Sequence, residues 1–273
     1  MPTSRTPAGI AFDREGPPGT TPVVLLHAGV ADRRMWDPQW EQLTAVRDAV
    51  RLDLRGFGAS DRPPRSGVVD PVADVLDTLD HLGVTTCHLV GSSLGAGVAV
   101  EVALTRPDAV RSLLLAPPGG SLLTERTPSF AAFAARENAA MAVGDVDAAV
   151  EANIGAWVVG TGRDVTVVDA GVVAAVRGMQ RRAFEVDAGW AGLQLSAAEI
   201  DPPAVERYAE LHQPVLVVVG AHDLDTVLLA ADRLAAGVAR VRRVDRPGAA
   251  HLPSMEEPED FLRLLLEHVT ARD

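Results

Sequence analysis

The run His88-Leu89-Val90-Gly91-Ser92-Ser93-Leu94-Gly95-Ala96-Gly97 constrains this chain more than any other stretch. A short apolar segment passes through the frame Gly91-x-Ser93-x-Gly95 into small residues suited to a helix. A strand that reverses sharply into a helix holds its corner residue in a strained backbone conformation, and flanking glycines remove the side chains that would collide there. Ser93 at such a corner projects its hydroxyl into a cleft. The Leu94 amide, at the positive end of the following helix, then points to where negative charge develops on an attacked carbonyl. The chemistry this favours is acyl transfer. Glycine and serine also cluster in ordinary turns, so the rest of the chain has to supply a sheet, a base and an acid.

Apolar runs recur at residues 23–26, 49–52, 88–90, 112–115 and 214–219, and a further strand is expected at 241–245. Continuous rather than alternating apolar character suits strands buried on both faces of a parallel sheet. Between them, residues 71–82 place Val72, Val75, Leu76, Leu79 and Leu82 at helical spacing, and residues 97–104 continue the helix after Ser93. The expected fold class is therefore α/β, a mostly parallel central sheet with helices on both faces. The pattern breaks at Pro117-Pro118-Gly119-Gly120, and an Ala-rich, helix-prone region runs to about Glu210. We expect a core domain of residues 1–120 and 211–273 and an inserted helical lid of residues 121–210, placed over the strand C-termini where α/β sheets bind ligands. Met141, Trp157, Met179, Phe184 and Trp190 are the lid side chains that could line a pocket, although apolar residues at helical spacing also bury one another. The first dozen residues and Gly16-Pro17-Pro18-Gly19 read as a mobile lead-in and a turn.

A serine hydroxyl is a poor nucleophile near neutrality, so Ser93 needs a positioned base and the base an orienting acid. The strand at 214–219 ends in Gly220-Ala221-His222-Asp223, and Arg246-Pro247-Gly248-Ala249-Ala250-His251 follows the strand at 241–245. The order Ser93, Asp223, His251 is that of a nucleophile elbow followed by acid and base. Asp225 is the rival acid, two residues on. The second oxyanion donor is expected from Leu26-His27-Ala28-Gly29-Val30: Gly29, with Val30 as the alternative and as a substrate contact. His27 is expected to anchor that loop. The segment Asp53 to Asp61 is glycine-rich but lacks the Gly-Lys-Ser/Thr ending of a phosphate loop.

The chain has 273 residues, enough for one substantial core with an insertion, and a formal net charge of -12 with both signs intermixed. That balance argues against a nucleic-acid surface and a polybasic membrane contact, and mainly promises solubility. No apolar run reaches a bilayer span, and the opening Met1-Pro2-Thr3-Ser4-Arg5 lacks a secretory apolar segment, so a cytoplasmic location is expected. The single cysteine, Cys87, is read as structural. No cofactor or metal is required by the chemistry.

Taken together, His27-Ala28-Gly29, Asp53 to Ser60, Gly91 to Gly95, Gly220 to Asp223 and Gly248 to His251 resemble the α/β-hydrolase superfamily, in its serine-nucleophile branch. The segments Leu25 to Trp36 and Ala250 to Pro258 are similar to enol-lactonase-like and small esterase members. Ala28 departs from the His-Gly pair usual in that loop. The resemblance implies cleavage of a small carboxylic ester or lactone through a Ser-His-Asp triad and an acyl-enzyme. Its alternatives are carbon–carbon hydrolysis of a diketone, a perhydrolase or acyltransferase, and a non-hydrolytic ligand-binding or cyclase protein on the same fold.

Overall fold

The computed structural model describes residues 4–272. Its strands are Ser4–Arg5 (β1), Ala11–Glu15 (β2), Val23–Leu26 (β3), Ala49–Leu52 (β4), Val68–Val69 (β5), Cys87–Ser93 (β6), Val110–Pro118 (β7), Ser196–Ala197 (β8), Val215–Gly220 (β9) and Val241–Arg246 (β10). Eight of them form one sheet in the order β1-β2-β4-β3-β6-β7-β9-β10. From β4 to β10 every pairing is parallel; β1 and β2 join antiparallel at one edge. The apolar runs of β3 and β9 are buried along their whole length, as strands covered on both faces require. The chain belongs to the α/β class, with the α/β-hydrolase arrangement of a mostly parallel sheet between helices.

The helices are Asp37–Thr44 (α1), Pro71–His81 (α2), Leu94–Thr105 (α3), Pro128–Ala142 (α4), Val146–Asn153 (α5), Ala170–Gly189 (α6), Asp225–Gly237 (α7), Pro253–Glu256 (α8) and Pro258–Thr270 (α9). Their boundaries follow local chemistry. Asp70 caps α2 by accepting from the Ala73 amide at 2.9 Å, and Pro71 at the first position gives up no helical hydrogen bond. Asp169 caps α6 in the same way, through Gly171 and Val172. α9 buries Phe261, Leu262, Leu264, Leu265 and Val269 and lays Phe261 against Trp36, ring centroids 5.9 Å apart. Helices α4, α5 and α6 all fall between β7 and β9, which are sheet neighbours.

Two expectations need correction. Of the first dozen residues, Met1 to Thr3 lie outside the described residues; the rest are not a loose lead-in, because Ser4–Arg5 pairs with β2 and Ala11–Glu15 pairs with β4 in the register Phe12↔Leu52 to Glu15↔Ala49. Only Ala11 and Phe12 of this strand are buried. The strand is held instead by backbone pairing and by Asp13, which accepts from Arg33 and Arg51 at 3.0 Å each, signals with no periodicity. Second, helix does not continue to Glu210: α6 stops at Gly189, and the chain then runs irregularly through β8, which pairs with β5. Pro202 and Pro203 cannot sit in a helix interior.

Candidate active site

β6 runs directly into α3, and Ser93 occupies the corner with φ 51° and ψ −110°. Among the described residues it is the only non-glycine at positive φ. The surrounding glycines permit the close approach. A Cβ on Gly91 would fall on the Gly95 carbonyl, and one on Gly95 would lie 2.5 Å from the Leu26 carbonyl oxygen. A Cβ on Gly119 would lie 2.6 Å from Ser93 Oγ. The Gly95 amide donates to the His27 carbonyl at 3.1 Å, which ties the corner to the loop after β3. In that loop Gly29 sits against Leu94, so the two sequence-expected oxyanion donors are neighbours. Ser93, Leu94 and Gly29 share a cavity of about 420 Å3 with Phe130 and Trp157. Among the described residues the Ser93 hydroxyl makes no hydrogen bond.

The loops after β9 and β10 meet because Gly220 has no side chain: a Cβ there would strike the Ala249 and Ala250 carbonyls. This contact brings Asp223 and His251 together. His251 Nδ1 lies 2.8 and 2.9 Å from the two Asp223 carboxylate oxygens, and both residues are buried. Asp223 Oδ1 also accepts from the Leu224 amide at 2.7 Å. The Trp157 ring packs on the His251 imidazole, centroids 4.4 Å apart, and also walls the Ser93 cavity. Asp225 does something else, accepting from Thr127 at 2.6 Å and from Ser129, and so fastens the start of α4 to α7.

A segment of which sequence reading singled out only Trp157 holds the loops of Asp223 and His251 in place. Trp157 lies in a π-helical turn, Ile154–Val159, a local widening often found at functional sites. Its carbonyl accepts from the His251 amide at 3.2 Å. Thr161 donates through its amide to the His222 carbonyl at 2.7 Å and through Oγ1 to the Asp223 carbonyl at 2.8 Å. Arg163 donates to the Val158, Val159 and Gly248 carbonyls and to Glu256. Glu256 Oε1 in turn accepts from the Ala250 amide at 2.9 Å and the Leu252 amide at 3.4 Å, on either side of His251. Only the π-turn tryptophan among these was visible beforehand, because the others act through the path of the chain.

The remaining candidates divide. Met141, Phe184 and Trp190 line a second cavity, which also reaches Gly29. Val30 and Met179 are buried in the core, and the Met179 sulfur accepts from the Asp32 amide at 3.4 Å. His27 is fully buried, with Nε2 accepting from the Leu54 amide at 2.9 Å and Nδ1 donating to the Ala28 carbonyl at 2.8 Å. Burial holds its pKa below the usual histidine value. It anchors the loop as a neutral ring. Cys87 is buried, and desolvation pushes its thiol up to about 12, so it supplies no thiolate. Among the described residues no cluster of His, Cys, Asp and Glu is arranged to hold a metal, and no helix is long and apolar enough to cross a membrane.

With this geometry in view, comparison with known proteins is decisive at the level of family. The sequence profile described as the alpha/beta hydrolase family matches residues 23–264. The chain belongs to that family. A family relative from Pseudomonas savastanoi pv. phaseolicola, described as putative carbamate hydrolase RutD, is 25% identical over 92% of this chain and 95% of its own length. The first curated relatives are matched over less than half of their own length. Among solved structures, a thermophilic esterase from Thermogutta terrifontis is 26% identical with a TM-score of 0.74, covering 96% of this chain and 93% of that one. The enol-lactonase from Burkholderia xenovorans LB400 superposes with a TM-score of 0.72 over 96% of each chain, at 20% identity, and so shares the family's fold. The chain is thus a hydrolase-family protein whose structural neighbours include esterases and lactonases.

Proposed function

We propose that this protein is a serine hydrolase that cleaves a small carboxylic ester or lactone. The observation that carries the reading is the buried Asp223–His251 pair, whose imidazole packs, tilted, against the same Trp157 ring that walls the Ser93 cavity. Ser93 Oγ attacks the carbonyl carbon while His251 Nε2 takes its proton. Asp223 holds the His251 Nδ1–H and stabilises the imidazolium that forms. The oxyanion of the tetrahedral intermediate accepts from the Leu94 and Gly29 amides, both fixed before substrate arrives. Collapse breaks the bond to the alkoxy group, which leaves with the proton from His251, and Ser93 is left acylated. A water deprotonated by His251 then attacks the acyl carbon, and the bond to Ser93 Oγ breaks as His251 returns the proton to that oxygen, releasing the acid. In a lactone the acyl and alkoxy parts stay joined, and the product is one hydroxy acid. Residues 121–210 serve as a cap in this reading, with α4 and α6 shaping the substrate cavities.

The test is intact-protein mass after treatment with a small fluorophosphonate, run beside Ser93→Ala with folding checked by circular dichroism. One adduct on the wild type and none on the variant is expected. A folded wild type that takes no adduct, or a Ser93→Ala variant that takes the same one, overturns the assignment.

A further inference from the structure

Two charged residues, Glu125 and Arg126, stand on the wall of the Ser93 cavity. Glu125 is already neutralised: its carboxylate accepts from Arg233 and from Thr124, and Arg233 also donates to Thr124. Arg126 is not. Among the described residues its guanidinium makes no hydrogen bond and no ion pair. An unpaired arginine is ordinary on an open surface, where water satisfies it, but here the backbone that carries it is fixed beside the nucleophile. The Glu125 carbonyl accepts from Thr226 Oγ1 at 2.7 Å, and Thr127 donates to Asp225 at 2.6 Å, so the residues on both sides of Arg126 are fastened to α7. Arg126 itself is exposed, and its side chain keeps the freedom to turn onto a ligand in the cavity.

The second cavity, of about 510 Å3, lies between α4 and α6 and borders Gly29 as the Ser93 cavity does, but its charge has the opposite sign. Glu137, whose Oε1 accepts from Asn153 at 2.6 Å, and Asp187 bring two carboxylates to its lining, and among the described residues neither has an ion-pair partner. The Arg55 guanidinium, also on that lining, is spent on Asp74 and on the Ala8 and Arg62 carbonyls. A carbonyl seated at Gly29 with one arm in each cavity therefore lies in a field that favours negative charge on one arm and disfavours it on the other. The formal charge of -12 gives an anion no general attraction to this protein, so its recognition has to be local.

We infer that the Ser93 cavity takes an ester or lactone whose arm on that side ends in a carboxylate, which Arg126 engages, while the arm between α4 and α6 carries no negative charge. The inference rests on the serine-hydrolase reading for the position of the carbonyl, and on Arg126 alone for its charge preference. A guanidinium offers parallel N–H groups to the two oxygens of a carboxylate, so an uncharged analogue loses both the charge and the matched geometry.

The experiment compares kcat/KM for phenyl 5-carboxypentanoate with that for phenyl 6-amino-6-oxohexanoate, in which an uncharged amide replaces the carboxylate. The same comparison is made with 4-acetoxybutanoate and 4-acetoxybutanamide, so that either arm of the ester is probed. In at least one pair the wild type is expected to prefer the acid about tenfold, mostly through KM, and by less at high salt. Arg126→Gln is expected to bring that ratio close to one, and Arg126→Glu to bring it below one. A ratio of one or less in both pairs, no turnover of any of the four compounds, or a preference that survives Arg126→Gln overturns the inference. Fluorophosphonate labelling reports the Ser93 reading separately. Where the folded wild type takes no adduct, adipamate and adipamide are titrated into it by tryptophan fluorescence, since Trp157 lies on the cavity wall. Tighter binding of adipamate, lost in Arg126→Gln, supports the carboxylate subsite; equal or undetected binding, or a preference that the variant keeps, overturns it.

Discussion

Arg163 and Glu256 meet at 2.7 Å with side chains only 8% and 6% exposed, and this one ion pair joins the segment after the π-turn to both amides that flank His251. The pair holds the His251 loop and lines neither the Ser93 cavity nor the one between α4 and α6. Arg163→Met would leave the Glu256 carboxylate buried and unpaired, a change that typically costs about 3–5 kcal/mol. We expect urea denaturation to show a loss of that order, with the double variant Arg163→Met, Glu256→Gln more stable than Arg163→Met alone. Because the pair positions His251 rather than substrate, kcat should fall while KM for a short ester changes little. A single variant as stable as the double one would show that Glu256 is compensated by another route.

The two acids after β9 make a sharper contrast. Asp223→Asn keeps the shape of the side chain but can no longer accept from His251 Nδ1–H through a charged oxygen on either side, so the imidazole loses its enforced tautomer. On the serine-hydrolase reading kcat should drop about 10^4-fold with folding retained. Asp225→Asn should keep most of the activity, because that carboxylate faces Thr127 and Ser129 rather than His251. Comparable losses in the two variants would remove the basis for preferring Asp223.

Acid should weaken the fold through buried imidazoles. His268 in α9 is 4% exposed, its Nε2 has no partner, and burial together with Arg272, His88 and Arg242 lowers its pKa from 6.5 to about 4. His27 is lowered too, by burial. A histidine whose folded pKa lies below its unfolded value binds its proton in the unfolded chain first. The contribution to stability is therefore complete above pH 6.5 and is lost as pH falls toward 4, amounting to about 3 kcal/mol for His268 at the low end. Denaturant midpoints measured from pH 7 to pH 4 should fall, and His268→Gln should flatten part of that slope. A slope unchanged in the variant would assign the acid sensitivity elsewhere.

Much of this architecture is legible in the chain because the relevant forces are local. β3, β4 and β9 announce themselves as apolar runs, and the corner at Ser93 by two glycines whose absent side chains make room for it. β2 is silent, since Asp13, Arg14 and Glu15 give no apolar alternation and the strand is secured by pairing and by ion pairs of Asp13 with Arg51, opposite it on β4, and with Arg33, both remote in sequence. Thr161, Arg163 and Glu256 are equally silent. Thr161 and Arg163 bond backbone carbonyls 62 and 85 residues away, and Glu256, although inside the Ala250 to Pro258 segment, gives no sign in the sequence that its carboxylate turns back on the Ala250 amide.

The corner itself can be tested by one methyl group. A Cβ on Gly119 would lie 2.6 Å from Ser93 Oγ and 2.7 Å from Ser93 Cα, distances at which something must move. Ser93 has little freedom to yield, because Gly95 beyond it is already packed against the Leu26 and His27 carbonyls. Overpacking of this kind costs about 1–3 kcal/mol, and here the displaced atom is the proposed nucleophile. We expect Gly119→Ala to fold with reduced stability and to react with the fluorophosphonate at least about tenfold more slowly, since a small misplacement of a reacting atom is amplified in rate. Gly178→Ala provides the opposite case. That residue lies inside α6 with open space where its Cβ would go, so alanine should stabilise the protein by about 0.5–1 kcal/mol and leave labelling untouched. Normal labelling of Gly119→Ala would mean that the strain at Ser93 is incidental, and the strand-to-helix corner would lose its claim to set the position of the hydroxyl.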